Sequence, residues 1–125
     1  MLFEVIFIDI PTSENIEDLK SQISSYQDEV VCFIYEPLIQ GAAGMLMYNA
    51  EDLNGLMKFC RANEILMIQD EVFTGFGRTG KLFASNHLSE SPDIMCFSKG
   101  LTGGTMPMGI TTCSNEIYNA FLSDD

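Results

Sequence analysis

The stretch Ile65-Leu66-Met67-Ile68-Gln69-Asp70-Glu71 is a short, mostly apolar run that ends in two carboxylates. Two other segments have the same form, since Val30–Tyr35 is followed by Glu36, and Ile94–Phe97 is followed two residues later by Lys99. Continuous apolar runs of this length are typical of strands buried on both faces of a parallel sheet. We therefore predict three parallel strands, each with a charged residue at or just past its end.

Helical patterns separate these predicted strands. After a break at Pro11-Thr12-Ser13, where Thr12 or Ser13 can cap a helix, apolar residues recur at helical spacing, namely Ile16, Leu19, Ile23 and Tyr26. Asn49 and Asp52 resemble a capping box, and the helix they predict has a buried face made of Leu53, Leu56, Met57 and Cys60. Strand and helix thus alternate along most of the chain.

The remaining elements complete an α/β layer. We predict strands over Leu2–Ile10 and Met108–Cys113, a short helix over Leu82–Leu88, and a final helix over Asn115–Leu122 that is capped by Ser114. The alternation predicts a mostly parallel sheet with flanking helices. Because no linker composition interrupts it, residues 1–125 are expected to form a single structural piece.

Three charged groups are candidates for chemistry, because ligands of parallel α/β sheets collect at the carboxyl ends of strands. Lys99 has mostly apolar or small neighbours, which favours a neutral amine that can attack an aldehyde and form a Schiff base. Asp70 is the natural second partner, since a carboxylate beside a pyridine nitrogen keeps that nitrogen protonated. Val72 lies on the same side of an extended segment as Asp70 and can pack on a ring face.

Composition and charge exclude other classes. The formal net charge is -12 with only six Lys and Arg, so a nucleic-acid partner is not expected. The four cysteines and the one histidine lack zinc-site spacing, and we expect reduced thiols and no metal. No signal peptide or membrane span is visible, which predicts a cytoplasmic protein. The glycines around Arg78 match dinucleotide signatures only in part.

Two segments closely resemble the signatures of class III aminotransferases, which use pyridoxal 5'-phosphate (PLP). They are Gln69–Gly80, with the sequence QDEVFTGFGRTG, and Pro92–Leu101, which contains Ser98-Lys99-Gly100. The 29-residue separation of Asp70 and Lys99 fits the family, and Glu36-Pro37 before a glycine-containing loop matches a third landmark. The resemblance covers nearly the whole chain.

The resemblance implies the large domain of the fold type I PLP-dependent transferases. It implies that Lys99 is the catalytic lysine that holds PLP, that Asp70 pairs with the pyridine nitrogen and that Val72 lies against the ring. It also implies that Glu36 and Gln40 lie near the active-site layer, and that the whole protein is a homodimer acting on a small-molecule amine donor and a keto substrate.

Two further stretches are similar to the biotin-pathway branch of the class, Glu36–Tyr48 and Leu101–Met106. That branch implies 8-amino-7-oxononanoate as the keto substrate and S-adenosylmethionine as the amino donor, although lysine stays open as a donor. The alternatives are another class III ω-amino acid transaminase, of the ornithine or γ-aminobutyrate type, or a non-catalytic α/β piece.

Class III members are much longer than 125 residues. The resemblance implies that the phosphate-binding Gly-Ser loop, a phosphate-reaching Thr and the carboxylate-binding Arg of the small domain lie outside this chain. We therefore expect a partial large domain that is incomplete at both ends and inactive on its own. Arg61 and Arg78 do not match the family's Arg and are predicted to have surface or structural roles.

Overall fold

The computed structural model describes residues 4–26 and 29–122. These residues form three α-helices, α1 (Ile16–Ser24), α2 (Ala50–Ala62) and α3 (Asn115–Ala120), and six strands, β1 (Cys32–Tyr35), β2 (Ile39–Gln40), β3 (Leu46–Met47), β4 (Leu66–Asp70), β5 (Ile94–Phe97) and β6 (Ile110–Cys113). Two short 3-10 helices span Ala84–His87 and Lys99–Thr102.

The main sheet has the order β1-β4-β5-β6. β1, β4 and β5 are parallel, as predicted, whereas β6 runs antiparallel to β5. The carboxyl ends of the three parallel strands therefore meet at one edge of the sheet. β6 starts at that same edge, because Ile110 is the partner of Phe97.

The core lies between this sheet and the helices α1 and α2. On β4, Met67 and Gln69 are buried while their neighbours are only partly so, which places the two residues on the covered face. Their apolar partners across the core are Leu19, Ile23, Leu53, Leu56, Met57 and Cys60. The four residues predicted to form the buried face of α2 are all fully buried.

Local capping signals explain where α2 begins. Asn49 Oδ1 accepts the Asp52 N–H at 2.8 Å, which satisfies one of the free amides of the first turn, and the predicted cap is confirmed. Ser114 caps α3 in the same way by accepting the Ile117 N–H at 3.3 Å. The start of α1 differs from the prediction, because its N-cap is Asn15 rather than Thr12 or Ser13, and the Asn15 side chain does not cap the helix. Thr12 Oγ1 accepts the Asn15 N–H at 3.3 Å just before the helix.

The structure corrects several local predictions. No strand forms over residues 4–10, and the rest of the predicted Leu2–Ile10 strand lies outside the described residues. β-propensity alone does not make a strand, because a strand needs a partner for its backbone, and within the described residues β1 pairs only with β4. The predicted helix over Leu82–Leu88 is a 3-10 helix of four residues.

Burial of the first parallel strand also differs from the prediction. Ile34 is 64 % exposed, so β1 is covered on one face only by the described residues. The segment after Glu36 is expected to be a loop because it contains glycines. In the structure it contains a two-stranded antiparallel pair, β2 with β3. None of the helices in the described part of the chain is long and apolar enough to cross a membrane.

Candidate active site

The predicted charged residues meet at the carboxyl edge of the parallel strands. Glu36 directly follows β1, Asp70 is the last residue of β4, and Lys99 comes two residues after β5. The strand register brings these ends level, because Tyr35 is the partner of Gln69, and Asp70 is the partner of Cys96. Residues far apart in the chain thus reach the same edge.

An open cleft of about 340 Å³ lies at this edge, and it is lined by Glu36, Gly41, Ala42, Asp70, Val72, Phe73 and Lys99. The structure therefore brings together four of the five predicted site residues. Gln40 pairs with Leu46 in the β2–β3 hairpin, immediately before the two small residues that line the cleft. The volume is at the lower end of the roughly 300–1,000 Å³ that small-molecule sites occupy.

Hydrogen bonds with the backbone hold the Asp70 carboxylate in place. Asp70 Oδ1 accepts the Val72 N–H at 2.8 Å, and the Glu71 N–H between them donates to the Cys96 carbonyl at 2.9 Å. The turn after β4 is thus anchored to β5, and Asp70 and Val72 both face the cleft.

Lys99 is exposed, so the apolar surroundings expected from its sequence neighbours do not enclose it among the described residues. Its backbone conformation is unusual. Its φ is +44°, in the left-handed region that L-residues rarely adopt, and Ser98 before it is fully extended. Ser98 Oγ donates to the Met108 carbonyl at 2.6 Å, which ties the two ends of the loop between β5 and β6. Strained backbone of this kind clusters at functional sites, where the surrounding structure maintains it.

Phe73 forms a wall of the cleft that the sequence reasoning missed. Its ring centroid lies 5.6 Å from Lys99 Nζ and 4.2 Å from the Arg78 guanidinium carbon. Arg78 Nε also donates to the Phe73 carbonyl at 2.7 Å. A Cβ on Gly41 would lie 2.7 Å from Phe73 Cγ, so only glycine leaves room for the ring. Such a long-range contact has no local sequence signal.

Glu36 supports the neighbouring loop. Its Oε2 accepts the Gly41 N–H at 2.8 Å, and its carbonyl accepts a hydrogen bond from the Tyr48 hydroxyl. Burial raises the pKa of that hydroxyl above its usual range, which keeps it a hydrogen-bond donor. The Glu36 side chain therefore shapes the glycine-containing side of the cleft.

A buried polar cluster lies behind the site and was also missed. Glu71 is fully buried and accepts four hydrogen bonds, from Gln69 Nε2, Thr74 Oγ1, Ala84 N and Ser85 N, at 2.6–3.1 Å. The adjacent acids Asp70 and Glu71 were a usable signal, because neighbours in an extended segment point to opposite sides. One faces the cleft and the other faces the core.

The two arginines have structural roles, as predicted. Arg61 forms an ion pair with Asp93 at 2.6 Å and donates to the Ser91 carbonyl at the same distance. Arg78 stacks on Phe73 as described above. Among the described residues, no group of three or more His, Cys, Asp and Glu is placed to hold a metal ion.

The cleft therefore combines an amine, a carboxylate, an aliphatic side chain and small residues. An amine can bond to an aldehyde, a carboxylate can stabilise a protonated ring nitrogen, and Val72 can pack on a flat ring. These groups fit a flat heteroaromatic aldehyde with a basic ring nitrogen.

Comparison with known families gives the same chemistry. The family described as Aminotransferase class-III matches residues 7–125. The chain belongs to the class-III aminotransferase family. This is a family of PLP-dependent transferases, so the enzyme class expected from the two signature segments is confirmed.

Curated relatives of this class-III chain have the biotin-pathway name. The adenosylmethionine-8-amino-7-oxononanoate aminotransferase of Staphylococcus aureus is 53% identical over 97 residues, which cover 78% of this chain and 22% of that protein. The protein of the same name from Methanocaldococcus jannaschii is 44% identical over 115 residues, which cover 89% and 25%. The chain thus spans about a quarter of the length of these relatives.

Solved aminotransferases share the fold. An (S)-enantioselective omega-transaminase from Thermomicrobium roseum matches with a TM-score of 0.84 and 35% identity over 90% of this chain and 26% of its own. The M. jannaschii enzyme matches with a TM-score of 0.81 and 44% identity over 87% and 26%. The predicted α/β class with a mostly parallel sheet and the relationship to PLP-dependent aminotransferases are confirmed.

Proposed function

We propose that the protein containing this chain is a PLP-dependent transaminase that converts 8-amino-7-oxononanoate to 7,8-diaminononanoate, with S-adenosylmethionine as the amino donor. The observation that carries the proposal is the shared cleft of the Lys99 amine and the Asp70 carboxylate. The names of the S. aureus and M. jannaschii relatives support the choice of substrate.

The residues present fit PLP. The cleft has one lysine among its lining residues, a carboxylate held by the Val72 N–H, and Gly41 and Ala42, whose small side chains leave space for a flat ring. Lys99 would hold the cofactor through its ε-amino group, Asp70 would face the pyridine nitrogen, and Val72 would lie against the ring. When bound, PLP supplies an electron sink for the bond broken at the substrate α-carbon.

Each side chain then has a definite task. Asp70 would offer a negative charge that favours the protonated form of the ring nitrogen. Lys99 would hold the cofactor through its ε-amino group, and the same amine, when free, would carry a proton to and from the substrate α-carbon. Phe73 and Val72 present apolar surface beside the exposed Lys99 side chain. Glu36 and Gln40 lie on the side of the β2–β3 hairpin, where we place substrate handling.

Other properties of the whole protein follow the family and are part of the proposal. We place it in the cytoplasm as a homodimer, with residues 1–125 as one part of the cofactor-binding large domain. The second candidate is another class III ω-amino acid transaminase, and the match to the T. roseum omega-transaminase, with a TM-score of 0.84, supports keeping a transaminase of a different substrate type open.

Borohydride trapping tests the cofactor site. The longest reading frame that contains this chain is purified, loaded with PLP, reduced and digested, and the modified peptide is identified by mass spectrometry. We expect the label on Lys99, and we expect Lys99→Ala to lose both the label and the visible absorbance band. Lys58→Ala, which changes an exposed lysine on α2, is the matched control and should keep both. A label elsewhere, or one that survives Lys99→Ala, contradicts the assignment.

Substrate assays test the reaction. The same protein is given 8-amino-7-oxononanoate with either S-adenosylmethionine or lysine, and in parallel ornithine or γ-aminobutyrate with 2-oxoglutarate. We expect 7,8-diaminononanoate to form from 8-amino-7-oxononanoate, and we expect S-adenosylmethionine rather than lysine to be the donor that supports this reaction. Turnover of the ω-amino acids alone would favour the second candidate. If neither turnover nor a cofactor absorbance band is observed, the remaining alternative is a non-catalytic α/β piece.

A further inference from the structure

Glu71 is a buried carboxylate that the proposed chemistry does not use. It is 0 % exposed, and no lysine or arginine contacts it among the described residues. Oε1 accepts from Gln69 Nε2 and Ser85 N, both at 2.8 Å, and Oε2 accepts from Thr74 Oγ1 at 2.6 Å and Ala84 N at 3.1 Å. Burying a charged group without a cation is unfavourable unless hydrogen bonds satisfy it, and here four do.

The four donors come from three separate segments. Gln69 is in β4, Thr74 is in the turn after β4, and Ala84 and Ser85 begin the 3-10 helix that follows the glycine-rich loop. Gln69 is itself oriented by Tyr35, whose hydroxyl donates to Gln69 Oε1 at 3.1 Å. Glu71 therefore joins the end of β4 to the two segments packed behind it.

The same backbone segment carries the cleft residues. Glu71 separates Asp70 from Val72, and the Val72 N–H donates to Asp70 Oδ1 at 2.8 Å. Gly75, at the end of the turn, has its N–H bonded to the Glu71 carbonyl at 2.9 Å, and a Cβ there would lie 2.8 Å from that carbonyl oxygen. The turn is thus tightly closed around Glu71, and a shift of Glu71 moves the groups on either side of it.

We propose that Glu71 is a positioning residue for the cofactor site, which fixes the Asp70 carboxylate and the Val72 side chain by holding the turn Asp70–Gly75 from behind. The inference rests on the proposed function. All four contacts of Glu71 are hydrogen-bond donors, so a carboxylate satisfies them and a carboxamide does not, because its NH₂ group would face further donors. Glu71→Gln is therefore the diagnostic change, with almost no change in volume.

Amide hydrogen exchange in the cofactor-free protein gives a direct readout. In Glu71→Gln we expect the Val72 amide, which donates to Asp70, to exchange at least about tenfold faster, together with the Ala84 and Ser85 amides. A role limited to packing would speed exchange at Ala84 and Ser85 and leave Val72 unchanged. Glu64→Gln, at an exposed acid in the turn between α2 and β4, is the control and should leave all three amides unchanged.

A double-mutant cycle with Asp70 tests the same point in the PLP-loaded, full-length protein. Glu71→Gln and Asp70→Asn are each expected to weaken cofactor binding and to shift the pH at which the cofactor absorbance changes. The expected loss in kcat is about 10- to 100-fold for Glu71→Gln and about 100-fold or more for Asp70→Asn. If Glu71 acts through Asp70, adding Glu71→Gln to Asp70→Asn changes little more. Fully additive effects on the absorbance titration would overturn the proposal.

Thr74→Val provides a variant that keeps the shape of the cluster. It removes only the hydrogen bond to Glu71 Oε2, so we expect a smaller change in Val72 exchange in the same direction. If Glu71→Gln does not fold, Thr74→Val becomes the test of the proposal. Unchanged exchange of the Val72 amide in Thr74→Val would then contradict it. Failure of the proposed function is seen separately, since the cofactor signal would then be absent from the unchanged protein or would survive Lys99→Ala, whatever Glu71→Gln does.

Discussion

Asp70 lies directly opposite Cys96 in the parallel register between β4 and β5. This pairing puts the Asp70 carboxylate and the Lys99 amine, which are 29 residues apart in the chain, into one cleft. The sheet, rather than any local turn, creates the candidate site, and several consequences can be measured.

Removal of the Asp70 charge should disable the proposed chemistry while the fold survives. In Asp70→Asn the side chain can still accept the Val72 N–H, but it no longer stabilises a protonated ring nitrogen. We expect kcat in the PLP-loaded full-length protein to fall by about 100-fold or more, with unchanged circular dichroism. Asp18→Asn, on the exposed surface of α1, should keep full activity, and equal losses in both variants would contradict the assignment.

The Arg61–Asp93 pair should contribute to stability mainly through Asp93. Asp93 is 8 % exposed, and its second carboxylate oxygen accepts the Met67 N–H at 2.8 Å, whereas the Arg61 side chain is 45% exposed. Asp93→Ala leaves a buried amide without a partner, so we expect a loss of about 3 kcal/mol in the free energy of unfolding, and about 1 kcal/mol for Arg61→Ala.

Chemical denaturation measures both changes. Lys20→Ala is the control, because its ion pair with Glu17 is on the exposed surface of α1 and should contribute no more than about 0.5 kcal/mol. A larger loss from Arg61→Ala than from Asp93→Ala would show that the buried amide is not the important partner.

Two glycine substitutions should change stability in opposite directions. Gly41→Ala would put a Cβ 2.7 Å from the Phe73 ring, and we expect a loss of about 1–3 kcal/mol, which Phe73→Leu in the same protein partly restores. Gly55 is inside α2, and a Cβ there would meet only Ile16 at 4.0 Å. Gly55→Ala should therefore stabilise by about 0.5–1 kcal/mol, measured by the same denaturation assay.

Stability should fall at alkaline pH through Cys60. Burial raises the pKa of the Cys60 thiol from 9.0 to about 11. The folded state holds this proton more tightly than the unfolded state, so its stabilising contribution is full below pH 9.0 and is lost as the pH rises towards 11. We expect a loss of at most about 2–3 kcal/mol from this group over that range.

Denaturation midpoints above and below pH 9.0 check this dependence. Burial also raises the pKa of Tyr35 and Tyr48 above the usual 10.0, so their loss adds only above that pH. In Cys60→Ala the slope just above pH 9.0 should disappear, whereas Cys32→Ala, at an exposed thiol, should keep it. If the denaturation midpoint of Cys60→Ala still falls just above pH 9.0, the pH dependence of stability belongs to another group.

The sequence by itself determined the local elements that depend on neighbours in the chain. The Asn49 cap, the buried face of α2 and the apolar runs that end at Tyr35, Asp70 and Phe97 follow from capping chemistry and from side-chain periodicity. Parallel pairing of those runs then predicted that Glu36, Asp70 and Lys99 would share an edge. The roles of these residues in catalysis stay predictions, which the Lys99 and Asp70 variants test.

Only the tertiary structure decided what depends on contacts between distant segments. Residues 4–10 have strand-like composition but no strand partner among the described residues, and β6 pairs with β5 antiparallel. The Phe73–Gly41 contact and the four donors around Glu71 join segments that no local pattern connects. The physical reason is that backbone pairing and the burial of a charge are satisfied by whichever groups the fold brings near, and only the fold identifies those groups.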